Sequence, residues 1–351
     1  MEGGWIDMAL STKDVIQLGK ALIKADPKAP VAYSFEGRDL SKSALEETFR
    51  AEMNELAGTY ALYRENKNTI FKIIESVIDE VLPQRVLEQY SSFAEIKSFA
   101  QGEKPIFTQK ITQAARRRAK QFIGKVGLAG LYEVFKLDGR SYEVTTNAIG
   151  GAAQIGFEEF LDGRVNMADV LDIVLQGLDE CIYVEIEKQL IGAINNVQKA
   201  NKTTQTNFDE QEMDRLISIA DSYGGNADIY CTYEFAATMV PQNSAWVSDA
   251  MKDAKWNNGY LANYKGHRVI VLKQSYEDET NEVKVLDPSY AWIIPSGTTK
   301  PVKIAFEGGT IADEYTNYDR SREIHIYRKV GVRAIFTNDV CVYQNTSLKR
   351  A

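Results

Sequence analysis

Residues 131–200 constrain this chain more than any other stretch. The runs LYEVFKL (Leu131–Leu137) and RSYEVTT (Arg140–Thr146) flank Asp138 and Gly139, and an apolar-striped segment follows from about Met167 to Lys199. Asp-Gly supplies the positive φ angles of a type I′ turn, and the aromatic and β-branched flanks suit paired strands. A tight β-hairpin is therefore predicted, with arms extending roughly 23 Å at 3.3 Å per residue. In the following segment Leu171, Val174, Leu175, Leu178, Ile182, Ile186, Leu190, Ile194 and Val197 recur at three- and four-residue spacing. Asp172, Asp179, Glu180, Glu187 and Lys188 fall off that stripe and are expected to face solvent or a neighbour. Asn166 is the expected N-cap, with Asp169 in the first turn. A helix of this extent, about 50 Å at 1.5 Å per residue, outruns a compact core. A reaching hairpin beside an overlong helix points to a building block rather than a catalyst.

The chain has 351 residues and is 44% hydrophobic, enough for two domains or one elaborated domain with extensions. Its net charge of −8 opposes tight, specific DNA binding, so any contact with DNA is expected to be loose. Cys181, Cys231 and Cys341 are odd in number, widely separated and set in apolar segments. That pattern argues against a disulfide framework and against a zinc site, and fits a reducing cytoplasm. The start, MEGGWIDMALSTKD, has no basic region followed by an apolar run, and no stretch reaches eighteen consecutive apolar residues. A soluble, unsecreted chain with no membrane partner is expected.

Along the N-terminal third, helices are predicted over residues 12–25 with Thr12 as N-cap, from Lys42 to Leu56, and from Asn68 to Val81, the last stopping at Pro83. Pro27 and Pro30 enforce an extended piece between the first two. This region reads as α-rich and arm-like. From Ser92 the period changes to two, and Gly150–Gly151 are read as a bend. Residues 200–206 (ANKTTQT) read as a polar linker into a helix over 209–223 ending at Gly224–Gly225. The strand DIYCT and the helix EFAATMV follow, and then the strands HRVIVL, EVKVLD, AWIIP, VKIAFEG, REIHIYRKVGVRAIF and DVCVYQN. Alternation through Ile324, Ile326 and Val330 leaves His325 on the wet face.

Catalytic signatures are missing: no phosphate-cradling glycine loop, nucleophile elbow, H-E-x-x-H or calcium loop occurs. His267 and His325 are the only histidines, and both lie in strand patterning. Cys231, in IYCTY, reads as a small core residue rather than a nucleophile. Glu158–Glu159 and the run Glu277, Asp278, Glu279 hold paired carboxylates without helical spacing or a glycine frame, and 277–282 reads as a solvated loop. No catalytic residue, cofactor or metal is expected.

The order of parts, an N-terminal arm, a hairpin extension, a spine-length helix, an α/β unit and closing strands, resembles the major capsid proteins of tailed bacteriophages with the Hong Kong 97-like fold, an α+β class. Three segments carry the local likeness: NFDEQEMDRLISIADSYGGNADIYCTYEFAATM, WNNGYLANYKGHRVIVL with Gly259 and Gly266 punctuating it, and REIHIYRKVGVRAIFTNDVCVY. It spans roughly residues 60–345. The resemblance implies an N-terminal arm over 1–65, a helical part of the P-domain over 66–104, an extended E-loop over 105–160 and the spine helix over 161–205. An A-domain over 206–300 and closing P-domain strands over 301–351 complete it.

It further implies self-assembly as pentamers and hexamers into an icosahedral shell enclosing double-stranded DNA, formed in the bacterial host cytoplasm and ending as the virion capsid. The A-domain would surround local symmetry axes, while hairpin and arm reach across neighbours. A separate scaffolding, portal or decoration protein is a possible partner. On this reading Arg116, Arg117 and Arg118, with Lys120, are more readily an assembly element meeting acidic surface on a neighbour than a phosphate patch, and Asp138 and Gly139 shape the bridging turn. Lys125 and Lys136 lie in the same extension, with no crosslinking acceptor identified. The rival readings are an encapsulin-like compartment shell, a phage accessory or tail component, and a cytosolic α/β enzyme using carboxylates.

Overall fold

The computed structural model describes residues 10–25, 33–35, 38–109, 140–154, 167–240, 247–276, 280–296, 300–316, 318 and 322–348. Helix α1 (Thr12–Lys24) is capped by Ser11 rather than Thr12, because Asp14 closes a reciprocal capping box with Ser11. A small hairpin, β1 (Tyr33–Phe35) and β2 (Arg38–Leu40), leads to α2 (Lys42–Ala57). Both helices pack onto α3 (Tyr60–Tyr90), with Leu18, Leu45, Phe49 and Val77 fully buried. Residues of α1 and α2, within the 1–65 read as an arm, contribute to the subunit core.

Helix α3 runs 31 residues and passes straight through Pro83, correcting the expected stop. An internal proline lacks an N–H and crowds the carbonyl four residues back, here that of Asp79. Arg328, 4% exposed, supplies the donor instead. Its Nη1 lies 3.3 Å from the Asp79 carbonyl, 3.5 Å from that of Ile78 and 3.3 Å from Asp79 Oδ1. A partner 249 residues away thus overrides the local breaker.

Strands β3 (Ala94–Phe99), β4 (Ile106–Gln109), β5 (Arg140–Glu143) and β6 (Asn147–Gln154) precede the long helix α4 (Met167–Ile194). Gly150–Gly151, read as a bend, sit inside β6, paired with Tyr327 and Ile326. Gly150 is needed there because a Cβ would fall 2.5 Å from that of Tyr327. Helix α4 ends five residues short of Lys199, since Asn196 and Val197 turn their amides to carbonyls three residues back and a 3₁₀ turn follows at Lys199–Asn201. Its stripe is buried at Leu175, Leu178, Ile182, Ile186 and Leu190. Glu187, expected in solvent, is also buried and accepts from the Asp287 amide at 2.6 Å. Asp179 is half-buried, and that burial holds its carboxyl above the usual range. Cys181 is exposed on this helix. The expected cap Asn166, and the side chains of Asp169, Leu171 and Asp172, lie outside what is described.

The remaining elements are β7 (Lys202–Gln205), α5 (Glu210–Gly224), β8 (Ala227–Cys231), α6 (Tyr233–Thr238), α7 (Asp249–Asn258), β9 (Asn263–Tyr264), β10 (His267–Val271), β11 (Tyr290–Pro295), β12 (Val302–Thr316), β13 (Arg322–Ala334) and β14 (Cys341–Asn345). They complete a four-stranded sheet, β3-β12-β13-β6, and a six-stranded one, β7-β14-β11-β8-β10-β9. Helices α3 and α4 pack on β12 and β13. One apolar core runs from the helices through Phe306, Ile326 and Val330 to Tyr230 and Trp292 of the second sheet. A second core, around Met213, Ile229, Phe235 and Tyr343, lies between α5, α6 and the six strands.

Two segments differ from expectation for one physical reason, namely where their backbone groups bond. The polar run 202–205 is the edge strand β7, recruited by the β14 backbone rather than by apolar side chains. The run EVKVLD forms no strand: Gln274 takes the Leu286 amide at 3.0 Å and its carbonyl at 2.8 Å, leaving one bridge, Lys284 to Tyr276. The glycine-punctuated loop behaves as read. Gly259 (φ 78°) ends α7 in the left-handed region, and Lys265-Gly266 (φ 48° and 93°) form the tight turn between β9 and β10.

Candidate functional site: the base of the 110–139 interval

Two short strands flank residues 110–139. Gln109 at the end of β4 is the ladder partner of Arg140 at the start of β5, so the two ends of that interval meet at one point. Arg116, Arg117, Arg118, Asp138 and Gly139 all fall in that interval, outside the described residues, as do Lys120, Lys125, Lys136, Glu158–Glu159 and Glu277–Glu279. Of the predicted hairpin, the second arm is described. Its ladder is with Ile106–Gln109, a pairing that the turn chemistry of Asp-Gly gave no reason to assign, and the first arm lies in the interval.

Phe107 anchors the base. It is 1% exposed, meets Phe99 edge to face with centroids 5.7 Å apart, and carries Lys97 and Lys303 over its ring at 5.0 and 5.9 Å. Lys303 is itself buried and bonds Glu95. Burial opposes the charge on both partners: it lowers the Lys303 pKa on balance, whereas hydrogen bonds from Lys303 and Lys97 outweigh it for Glu95 and hold that carboxyl below its ordinary range. Val144, fully buried, donates its amide to the Pro105 carbonyl at 2.9 Å. Arg333 reaches from β13 to the Glu143 carbonyl at 2.6 Å and lies over Tyr142.

Glu307 latches both legs to the sheet. It accepts from the Gly102 amide at 3.2 Å on one leg and from the Thr146 hydroxyl on the other, with Lys329 at 3.4 Å. Its position follows from a β-bulge: the β12–β13 register shifts between Glu307 and Ile311, and Gly308 (φ 68°) provides the backbone for it. Amides freed by the bulge are taken up from α3, Thr310 by Asp79 at 2.6 Å and Ala312 by Glu75 at 3.0 Å. The Thr146 hydroxyl, then the Gly102 amide and Lys329, hold the Glu307 carboxyl below the usual carboxylate range. A group with a depressed folded pKa contributes its full stability above the unfolded value and loses it as pH falls through the folded one. Acidification is therefore expected to release the base. The protection of the Gly102 amide against hydrogen exchange, relative to its intrinsic rate at each pH, should fall as pH drops below the ordinary carboxylate range, and Glu307→Gln should flatten that dependence; protection with the same pH profile in both proteins would refute the latch.

Close packing of the second leg depends on Gly331. A Cβ there would lie 2.5 Å from the Thr145 carbonyl oxygen and 2.9 Å from a Val144 methyl. Gly331→Ala is expected to cost about 1–3 kcal/mol in denaturant unfolding, because backbone rather than a flexible side chain must move. An unchanged midpoint would show that the leg sits less tightly.

The remaining candidates are structural. Cys231 and Cys341 are fully buried, and burial pushes each thiol up to about 12. His267 Nδ1 lies 3.0 Å from the Ala227 carbonyl, and His325, half-exposed, pairs with Glu323 and packs on Tyr315. Among the described residues no three His, Cys, Asp or Glu side chains group as a metal site, and no helix is long and apolar enough to cross a membrane.

A helix-backed four-stranded sheet, a spine-length helix and a second, six-stranded α/β sheet define the Hong Kong 97-like capsid fold. The capsid of a native GTA particle matches at TM-score 0.50 and 10% identity, covering 73% of this chain and 89% of that one. Weaker matches include the head of Helicobacter pylori bacteriophage KHP40 (TM-score 0.46, 11% identity, covering 74% and 91%). A virus-like particle from Pyrococcus furiosus also matches (TM-score 0.42, 12% identity, covering 76% and 98%). No curated protein matches in sequence. The family described as "SPbeta prophage-derived putative capsid protein YonB" matches residues 28–344, and the chain belongs to that family. It is a phage-type capsid protein, structural in role.

Proposed function

We propose that this chain is the major capsid protein of a tailed phage or prophage, closing as pentamers and hexamers into an icosahedral shell around double-stranded DNA within the host cytoplasm. The observation that carries this reading is the junction of Gln109 and Arg140, ladder partners that bring the two ends of a 30-residue interval together on a base held by Glu307. Such a device serves contact beyond the subunit. In this arrangement residues 105–160 are the E-loop, 161–205 the spine and 206–300 the A-domain. The rest is shared between arm and P-domain, with β14 of the closing segment lying in the six-stranded sheet.

Arg116, Arg117 and Arg118 meet acidic surface on a neighbour, and Asp138 and Gly139 shape the bridging turn. Several modest contacts per subunit suffice, since each raises the effective concentration of the next. The net charge of −8 keeps contact with packaged DNA loose. Scaffolding, portal or decoration functions fall to separate proteins. No catalytic step or cofactor enters the mechanism.

Electron microscopy of the purified chain, with assay of nucleic acid in any particles, tests the proposal. Closed icosahedral particles, filled with DNA when recovered from induced cells, are expected. A stable monomer or small oligomer in light scattering would overturn the shell, and particles carrying protein cargo without nucleic acid would make it a cellular compartment.

A further inference from the structure

Helix α7 buries none of its ten side chains, and its Trp256 is 90% exposed. The helix is nevertheless firmly framed: the Ser248 hydroxyl accepts from the Met251 amide at the N-terminus, and Gly259 turns left-handed at the other end with Tyr233 packed where a Cβ would stand. An indole held almost wholly in water on a fixed helix is a contact surface awaiting its partner. Beside it lies a groove of about 410 Å³ lined by Val240, Val247, Met251, Lys255, Trp256 and Leu261.

We propose that α7 and this groove seat a second copy of this chain, with Trp256 as the anchor. The inference rests on the shell-forming reading above and names one of its contacts. Charge identifies the occupant. The chain carries a net charge of −8, yet both charged groups lining the groove, Lys252 and Lys255, are basic, and Lys252 pairs with Asp249 at 2.9 Å. A cationic edge beside an apolar slot complements the net negative charge of this same chain and steers encounter towards it. The two patches are unlike, so the contact is heterologous. Repeated around an axis whose rotation closes, it forms a ring, whereas a two-fold pair would set like against like.

The full-length chain is tested as wild type, Trp256→Ala and Lys255→Glu, by sedimentation and electron microscopy across a concentration series, with thermal unfolding of the unassembled subunit alongside. Trp256→Ala is expected to leave the melting curve unchanged and to raise the concentration needed for particles by about tenfold or more. Lys255→Glu should raise it by a smaller factor that vanishes at high salt. Hydrogen exchange in wild-type particles should show α7 protected on assembly. Normal assembly of Trp256→Ala, or α7 unprotected in particles, overturns this contact and leaves the shell standing. A wild-type chain that forms no particles removes both together.

Discussion

Excision of residues 110–139, with Gln109 joined to Arg140 through an Asn-Gly turn, is expected to leave a folded subunit that no longer closes into shells. The two ends are already ladder partners, so a two-residue turn matches the geometry without disturbing Phe107, Val144 or the Glu307 latch. Closing a two-residue loop in place of a 30-residue one is entropically easier by about 2 kcal/mol, so denaturant unfolding of the subunit should shift to higher midpoint. Assembly, followed by light scattering and microscopy, should fall to background. The cut spares Arg140–Thr146, although the predicted hairpin includes them, because those residues belong to the base. Particles of normal size from the excised chain would remove the bridging role of residues 110–139.

Replacing Arg328 with alanine should cost about 3–5 kcal/mol, the range for leaving a buried ionic partner uncompensated. The loss has three sources in this structure: the Asp79 and Ile78 carbonyls at the Pro83 break, the Asp79 carboxylate, and the Phe306 ring that lies 4.8 Å from the guanidinium. The first source can be isolated. Pro83→Ala restores an amide within reach of the Asp79 carbonyl, so in that background the cost of Arg328→Ala should shrink by about 1 kcal/mol or more. A double-mutant cycle on denaturant midpoints reads this directly, and strictly additive costs would show that Arg328 does not serve the helix break.

Pro83 also shows how far the sequence could be read. Periodicity located α2, α4, α5 and most strands because a packed face repeats along the chain and leaves its mark on each turn or pleat. Breakers were misjudged wherever a distant group compensates: Pro83 through Arg328, Gly150 through the close approach of Tyr327. Strand β7 was missed because an edge strand with one paired side needs no apolar alternation, and the EVKVLD run was overread because Gln274 supplies its backbone partners. At the candidate site, the Asp-Gly turn lies outside the described residues, and only the second arm of its hairpin is described. The base was hidden: Glu307 sits in a run that reads as plain strand, and nothing local in Gly102 or Thr146 points to it. The order of parts, rather than any single motif, carried the capsid reading to the family that the chain belongs to.

The order of strands in the two sheets also has a consequence for timing. In the four-stranded sheet β12 and β13 are the central pair, so β3 and β6 have no ladder neighbour until residues 302–334 exist. In the six-stranded sheet β7 waits for β14 in the same way. At ribosomal speeds of roughly 5–20 residues per second, β3 stays unpaired for about 10–40 s after it is made. Neither sheet can be complete before residues 302–345 are made, so the fold closes late, on strands that pair with segments made about 140–210 residues earlier.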